Sequence, residues 1–375
     1  MNFKRVFCFF FSCVLSLFGE PTDVLFYLQD AGETLALLPV IQKLEQKGID
    51  YHILSAGVAR EIVLKAGIPA AKISTFQDFG IMTIVDRNWG RSERLSDEEM
   101  FRFKEEIEAK EVITGVAFAV QGQVLDVFSS KGLPAFAYWD NFNAEGENPY
   151  FKTAHEVETH ASILLLPSHA LKATFMDRKT EVVGQPTLEE WASQMEAIDR
   201  SQIREKLEIE LDQKVALFVG GYGDEYEDAF RLFLQGVDSL QNPSLLFLIQ
   251  PHPKTGGKFE QELIAKENAQ IRLLKGELTT VEAVALSDLV IVHQSTVAFQ
   301  ALAAKKPVLH ILPPTQKYES LPLQKGLAKR VSSVDKFARA IDQAIGMTPE
   351  DFYELMQIPH HSRELCVEII LEALQ

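Results

Sequence analysis

A chain of 375 residues exceeds what one hydrophobic core ordinarily supports and points to two domains. Hydrophobic residues at 46% and charged residues at 24% belong to a folded globular protein. With 53 acidic against 37 basic residues the net charge is -16, which argues against nucleic acid or an anionic membrane surface as the main partner, because both need a basic footprint.

Lys4 and Arg5 precede an almost unbroken apolar run from Val6 to Phe18, closed by Gly19-Glu20-Pro21. A positive segment before a short apolar one suits a secretory signal, or an N-terminal anchor, over residues 1–19 better than a membrane span. The expected address is therefore export to the periplasm or cell envelope, or attachment to a membrane through the N-terminus, with the cytoplasmic face left open. Cys8 and Cys13 fall inside this run and leave Cys366 alone beyond it. One thiol makes neither an internal disulfide nor a cysteine-based metal site.

From Val24 the pattern alternates. Residues 24–28 form an apolar strand, Asp30-Ala31-Gly32-Glu33 a turn, residues 35–46 a helix ended by Gly48, and residues 51–54 a strand. A helix over 58–66, a strand over 112–114, a helix over 120–130 and strands over 135–138, 163–166 and 180–183 continue it. Apolar runs of this kind suit a parallel sheet covered on both faces. A charged, strandless stretch over 191–212 separates residues 22–190 from a second alternating region over 213–348.

The second region opens with a strand over 215–219 and the turn Gly220-Gly221-Tyr222-Gly223, followed by a helix over 226–236. A strand over 245–250 ends at Pro251-His252-Pro253. Residues 271–273 form a strand, 281–286 a helix and 289–292 a strand that stops at His293-Gln294-Ser295-Thr296. A helix begins at Val297 and leads to Lys306-Pro307-Val308-Leu309. Residues 349–375 read as terminal helices broken near Pro359. The fold class is α/β: two Rossmann-like doubly wound domains facing across a cleft, with ligands at strand C-terminal ends.

Those ends supply the candidate residues, each with a plainer alternative. Glu33 suits a general base on an acceptor hydroxyl, or a first-turn acid complementing the helix dipole. Gly220, Gly221 and Gly223 allow close backbone approach to a phosphate or sugar, or form a tight turn. His252, held between two prolines, and His293 suit hydrogen bonding to a donor, or simply end their strands. Ser295 and Thr296 mark a helix start that suits an anion, or cap that helix. Trp139, Asp140 and Asn141 offer an aromatic face with polar neighbours for a sugar ring, or belong to the core. No acid or cysteine stands at ligand spacing to His360-His361, so no metal is expected.

GGYG after the first strand of the second half, QPHP after the next, KGELTTVEAVALSDLVIV, and ST before a helix leading to KKPVL follow one another in an order that resembles the GT-B superfamily of glycosyltransferases and nucleotide-sugar epimerases. The HP and GEL elements and DAGETLALLPVIQKL resemble the Kdo transferases in particular. ITGVAFAVQGQVLDVFSSKGLPAFAYWDN resembles GT-B-like proteins of surface-polysaccharide loci, and EVVGQP resembles the segment before the interdomain linker of epimerases.

The resemblance implies a glycosyltransferase that moves a sugar from a nucleotide-activated donor to an envelope glycan or glycolipid. Glu33 would be catalytic. Gly220, Gly221, Gly223, His252, Gly276, Glu277, His293, Ser295, Thr296 and Gln300 would bind the donor. Gly32, Trp139, Asp140 and Asn141 would bind the acceptor. The nucleotide sugar is substrate, and no separate cofactor or metal is implied. The chain departs from the family where Gln300 stands in place of its usual Glu, and where Asp224, Glu225, Glu227 and Asp228 follow GGYG without the basic residue the family places there. A non-catalytic glycan-binding protein and a UDP-sugar 2-epimerase-like enzyme are the alternatives. Export bears on the choice, since activated nucleotide sugars are cytoplasmic.

Overall fold

A computed structural model describes residues 22–82, 90–146, 149–240, 242–252, 255–264, 270–317 and 320–375. The apolar N-terminal run, Pro253 and Lys254 lie outside them. Two compact units emerge: residues up to Thr187 together with Pro359–Gln375, and Leu188–Ile358.

The first unit holds seven strands: β1 (Thr22–Leu28), β2 (Tyr51–Ser55), β3 (Ile73–Ser74), β4 (Ala109–Thr114), β5 (Ala135–Tyr138), β6 (Ile163–Leu166) and β7 (Thr180–Val182). All pair in parallel, in the order β3-β2-β1-β4-β5-β6-β7. Alternate residues of each strand enter different cores, which explains the unbroken apolar runs. Leu25 and Tyr27 join Val112, Ala135 and Ala137 on one face, whereas Val24, Phe26 and Leu28 join Ile113, Phe136 and Tyr138 on the other.

The last helix, Ser362–Ala373, belongs to this unit. Its Cys366, Val367 and Ile370 complete the second of these cores, against the helix Ala31–Gln46. The break before it is made by Gln357 and His361, both in the left-handed region at φ 54° and 62°. Among the described residues no helix is long and apolar enough to cross a membrane.

The second unit holds β8 (Lys214–Val219), β9 (Leu245–Gln250), β10 (Ile271–Leu273), β11 (Leu289–Val292), β12 (Val308–Ile311) and β13 (Ala328–Val331), again all parallel, in the order β10-β9-β8-β11-β12-β13. Sequence pattern gives no sign of β3 or β13. β3 has two residues, and β13 is an edge strand whose Lys329 and Arg330 interrupt its apolar character. Each sheet reverses its winding once, between β1 and β4 and between β8 and β11. Register fixes what meets at the second reversal. Val219 pairs with Gln250 on one side and Val292 on the other, so Gly220, Pro251 and His293 leave the sheet at one level.

Candidate functional site

In the first unit the site is built around Glu33. Asp30 caps the helix Ala31–Gln46, its Oδ1 accepting from the Ala31 N–H at 2.9 Å. Glu33, three residues on, turns back so that Oε1 accepts from Gln29 N–H at 2.6 Å and Asp30 N–H at 3.0 Å, which completes a capping box. Gln121, in the first turn of Ala119–Ser130, donates Nε2 to both Glu33 oxygens at 2.8 Å. Its own Oε1 accepts from Phe118 N–H, which fixes that amide's orientation. Glu33 is 1% exposed, and burial first, then the Asp30 charge, push its carboxyl up to about 8. The three donors pull the other way. Room for this carboxyl comes from Gly115, where a Cβ would lie 2.5 Å from Glu33 Cδ.

Around Glu33 the ends of β1, β4 and β5 bring further polar groups together. Asp140 accepts from the Tyr150 hydroxyl at 2.6 Å and reaches over Gly32, where a methyl would collide with its carboxyl. Burial raises the Asp140 pKa, the Tyr150 hydrogen bond lowers it, and the Asp30 charge raises it again. Arg91 lies between the rings of Phe118 and Tyr150, 5.0 and 5.5 Å away, and pairs with Asp30 at 3.3 Å. Arg91 thus pairs with Asp30, and its charge also lowers the Asp140 pKa. Tyr150→Phe is expected to leave the Asp140 carboxyl without this donor and to cost about 1–2 kcal/mol, read by urea denaturation.

One expectation for this unit is corrected. Trp139 offers no face to a sugar. It is 0% exposed, its ring packs on Tyr150, His155 and Phe175, and its Nε1 donates to Asn143 O at 3.1 Å. Asn141 Oδ1 accepts from Asn143 N–H at 2.8 Å and shapes the turn. Arg91, Gln121, Tyr150 and Gly115 were not legible as site residues. Only Gln121 had a local signal, a Gln at the third position of a helix.

In the second unit the three glycines after β8 are each required by the protein itself. A Cβ on Gly220 would stand 2.8 Å from His252 N and 3.0 Å from Gln250 O, and one on Gly221 2.7 Å from the Tyr226 ring. Gly223 adopts φ 87°, ψ 167°, a region open essentially to glycine alone. Their number alone therefore gives no sign of a ligand. Tyr222, 57% exposed, meets the His252 ring edge-on at 4.8 Å.

The junction after β11 also differs from expectation. Its first helical N–H groups are already paired. Val297 donates to Ser295 Oγ at 3.3 Å, Ala298 to Ser295 O at 3.1 Å and Phe299 to Thr296 O at 3.0 Å. With a helix of only seven residues behind it, the junction is a poor seat for an anion by itself. Gly276 and Glu277 follow β10, the outer strand, two places from β8 and three from β11. Glu277 Oε2 accepts from Lys275 N–H, and its C=O accepts from Lys206 Nζ at 2.7 Å.

His293 remains central. It is 6% exposed, and its Nε2 lies 2.8 Å from Gln316 Oε1. Gln250 Oε1 and Glu260 Oε2, at and beside this edge, have no partner among the described residues, nor does Gln300 Oε1 on the helix Val297–Ala303. No group of three His, Cys, Asp or Glu among the described residues is placed to hold a metal ion.

The family profile of CDP-glycerol:poly(glycerophosphate) glycerophosphotransferases matches residues 168–326, less than half of the chain. No curated protein sequence matches it. Among solved structures, the UDP-GlcNAc 2-epimerase of Methanocaldococcus jannaschii superposes with a TM-score of 0.69 at 14% identity, over 94% of this chain and 100% of that one. A UDP-GlcNAc 2-epimerase of Neisseria meningitidis, solved with UDP-GlcNAc bound, gives 0.65 at 16% identity over the same shares. MurG of Acinetobacter baumannii gives 0.61 at 14%, again over 94% and 100%. At such identities the likeness establishes architecture alone, and it agrees with the two parallel sheets: the chain has the two-unit GT-B fold.

Proposed function

We propose that the protein is a GT-B transferase that takes a nucleotide-activated sugar at the strand-end edge of its second unit and passes the sugar to a hydroxyl of an envelope glycan or glycolipid. One observation carries this reading. The matched transferase segment, 168–326, contains every second-unit residue singled out at that edge, from Gly220 to Gln316. Glu33 is the group assigned to the acceptor proton, as a buried carboxyl poised to change charge near neutrality. A second reading keeps the site and changes the cargo. The glycerophosphotransferase match favours a CDP-activated polyol phosphate, where attack falls on phosphorus and CMP leaves.

Thermal unfolding with UDP-N-acetylglucosamine, GDP- and CMP-linked sugars and CDP-glycerol separates them. A cognate donor at a hundred times its Kd is expected to add about 2.7 kcal/mol of stability, a rise of several degrees. No shift with any of them sinks both readings and leaves glycan binding. NMR of a single nucleotide sugar incubated with the protein tests epimerisation, which needs no acceptor. Intact mass of the native protein tests the N-terminus: a chain starting near Glu20 favours a lipid-linked donor or glycan binding over a soluble nucleotide sugar.

A further inference from the structure

The hydrogen bonds around His293 have directions that carbonyl oxygens fix. Gln316 approaches the Glu225 carbonyl at 2.6 Å, and a carbonyl only accepts, so the amide nitrogen of Gln316 faces Glu225. Its amide oxygen therefore faces His293 Nε2 at 2.8 Å, and that nitrogen must carry the proton. A second link has the same logic. His310 Nδ1 lies 2.8 Å from the His293 carbonyl and must donate to it, which leaves His310 Nε2 to accept from Ser320 Oγ at 3.5 Å. The loop that carries Gln316 is itself held. Arg330, on β13, donates to Gln316 O at 2.6 Å and to Pro313 O at 3.2 Å. His293 is thus held through its backbone by β12 and through its ring by the 313–316 turn.

We propose that Gln316 is a positioning residue for the donor site: it locks His293 in one ring orientation and one tautomer, proton on Nε2, so that Nδ1 meets the donor as a hydrogen-bond acceptor. This rests on the reading of the second unit as the donor-binding one, and it deepens that reading by naming the ligand chemistry. A neutral imidazole offering a lone pair recognises a hydroxyl, whereas a phosphate oxygen would need a second ring proton. The surrounding groups agree. Gln250 Oε1 and Glu260 Oε2, at and beside the end of β9, are likewise acceptors with no partner among the described residues, the same polarity that His293 Nδ1 presents. The groups around the ring also favour a neutral state overall. Burial lowers the His293 pKa, while the Gln316 hydrogen bond and the Glu225 charge raise it. Tyr226 lies against the ring at 6.3 Å, and the neighbouring His310 is held neutral, pushed down to about 4 by burial.

The test is long-range ¹H–¹⁵N NMR of the full chain labelled at histidine, without any ligand. Wild type is expected to show His293 with Nε2 protonated and Nδ1 bare at pH 7. Gln316→Leu should remove that preference and give a tautomer mixture. Gln316→Glu should keep Nε2–H and move the His293 titration upward by about one pH unit, since a carboxylate replaces the amide oxygen. Dispersed amide spectra of both variants show that they fold. Nδ1–H in the wild type, or an unchanged tautomer in Gln316→Leu, overturns the proposal. Addition of UDP-N-acetylglucosamine should perturb Nδ1 while Nε2–H persists. A second ring proton gained with UDP alone means a phosphate contact and also overturns it. Silence towards both probes counts against the donor-site reading and leaves the tautomer result to decide the role of Gln316.

Discussion

Glu33→Gln is expected to keep the fold and to lower transfer activity by about 10²- to 10⁴-fold, the usual contribution of a positioned acid–base group. Gln at the third helical position still serves a capping box, so its oxygen retains the Gln29 and Asp30 N–H groups. Its new amide hydrogens face those of Gln121, a local cost of about 1–3 kcal/mol. Glu33→Ala strips all three donors of their acceptor and is expected to cost more, about 3–5 kcal/mol.

The pH dependence has a definite sign. The Glu33 pKa stands at about 8 in the folded chain against an ordinary 4.5. Between those values the folded protein holds a proton that the unfolded chain has released. Each pH unit upward therefore removes as much as about 1.4 kcal/mol, with the contribution intact below the window and fully lost above it. Glu33→Gln should flatten this slope in urea denaturation at pH 5 and pH 8. For wild-type turnover the active base is the ionised form, so the rate should climb with pH, reach half of its plateau near 8 and level off above it. A variant that loses the stability slope but keeps its activity shows that Glu33 is only a cap.

Much of the architecture was legible because parallel strands buried on both faces write themselves as apolar runs. Residues 135–138, 245–250 and 289–292 match observed strands end for end. The helix after β1 starts at Ala31 rather than 35, because Asp30 and Glu33 cap it earlier than apolar spacing suggests. The site was less legible, for reasons of distance in sequence. Arg91 meets Asp30 across 61 residues, and Gln121 meets Glu33 across 88. No local period encodes such a meeting. Trp139 misled because a strand-end aromatic looks alike whether its ring turns outward or, as here, back towards Phe175. The Ser-Thr junction misled because composition says that a helix begins, but not that its first N–H groups are already engaged.

The glycines after β8 offer the sharpest separation of structure from ligand. Gly220→Ala puts a methyl 2.8 Å from the backbone nitrogen of His252 and 3.0 Å from Gln250 O, and backbone cannot swing aside. The ends of β8 and β9 must part, at about 1–3 kcal/mol. Gly223→Ala meets nothing within 4 Å, yet forces a side chain into φ 87°, also at about 1–3 kcal/mol. The two costs have different consequences. Parting the strands displaces His252, and with it the Tyr222 ring, so Gly220→Ala should lose any thermal shift given by a nucleotide-linked donor. Strain at Gly223 sits at the start of the helix Asp224–Ser239, whose Glu225 carbonyl anchors Gln316. Gly223→Ala should therefore weaken the Gln316–His293 link while the strands stay paired. Denaturation with and without donor, on both variants, checks this. Equal retention of the donor shift in both would mean that the loop is a turn and nothing more.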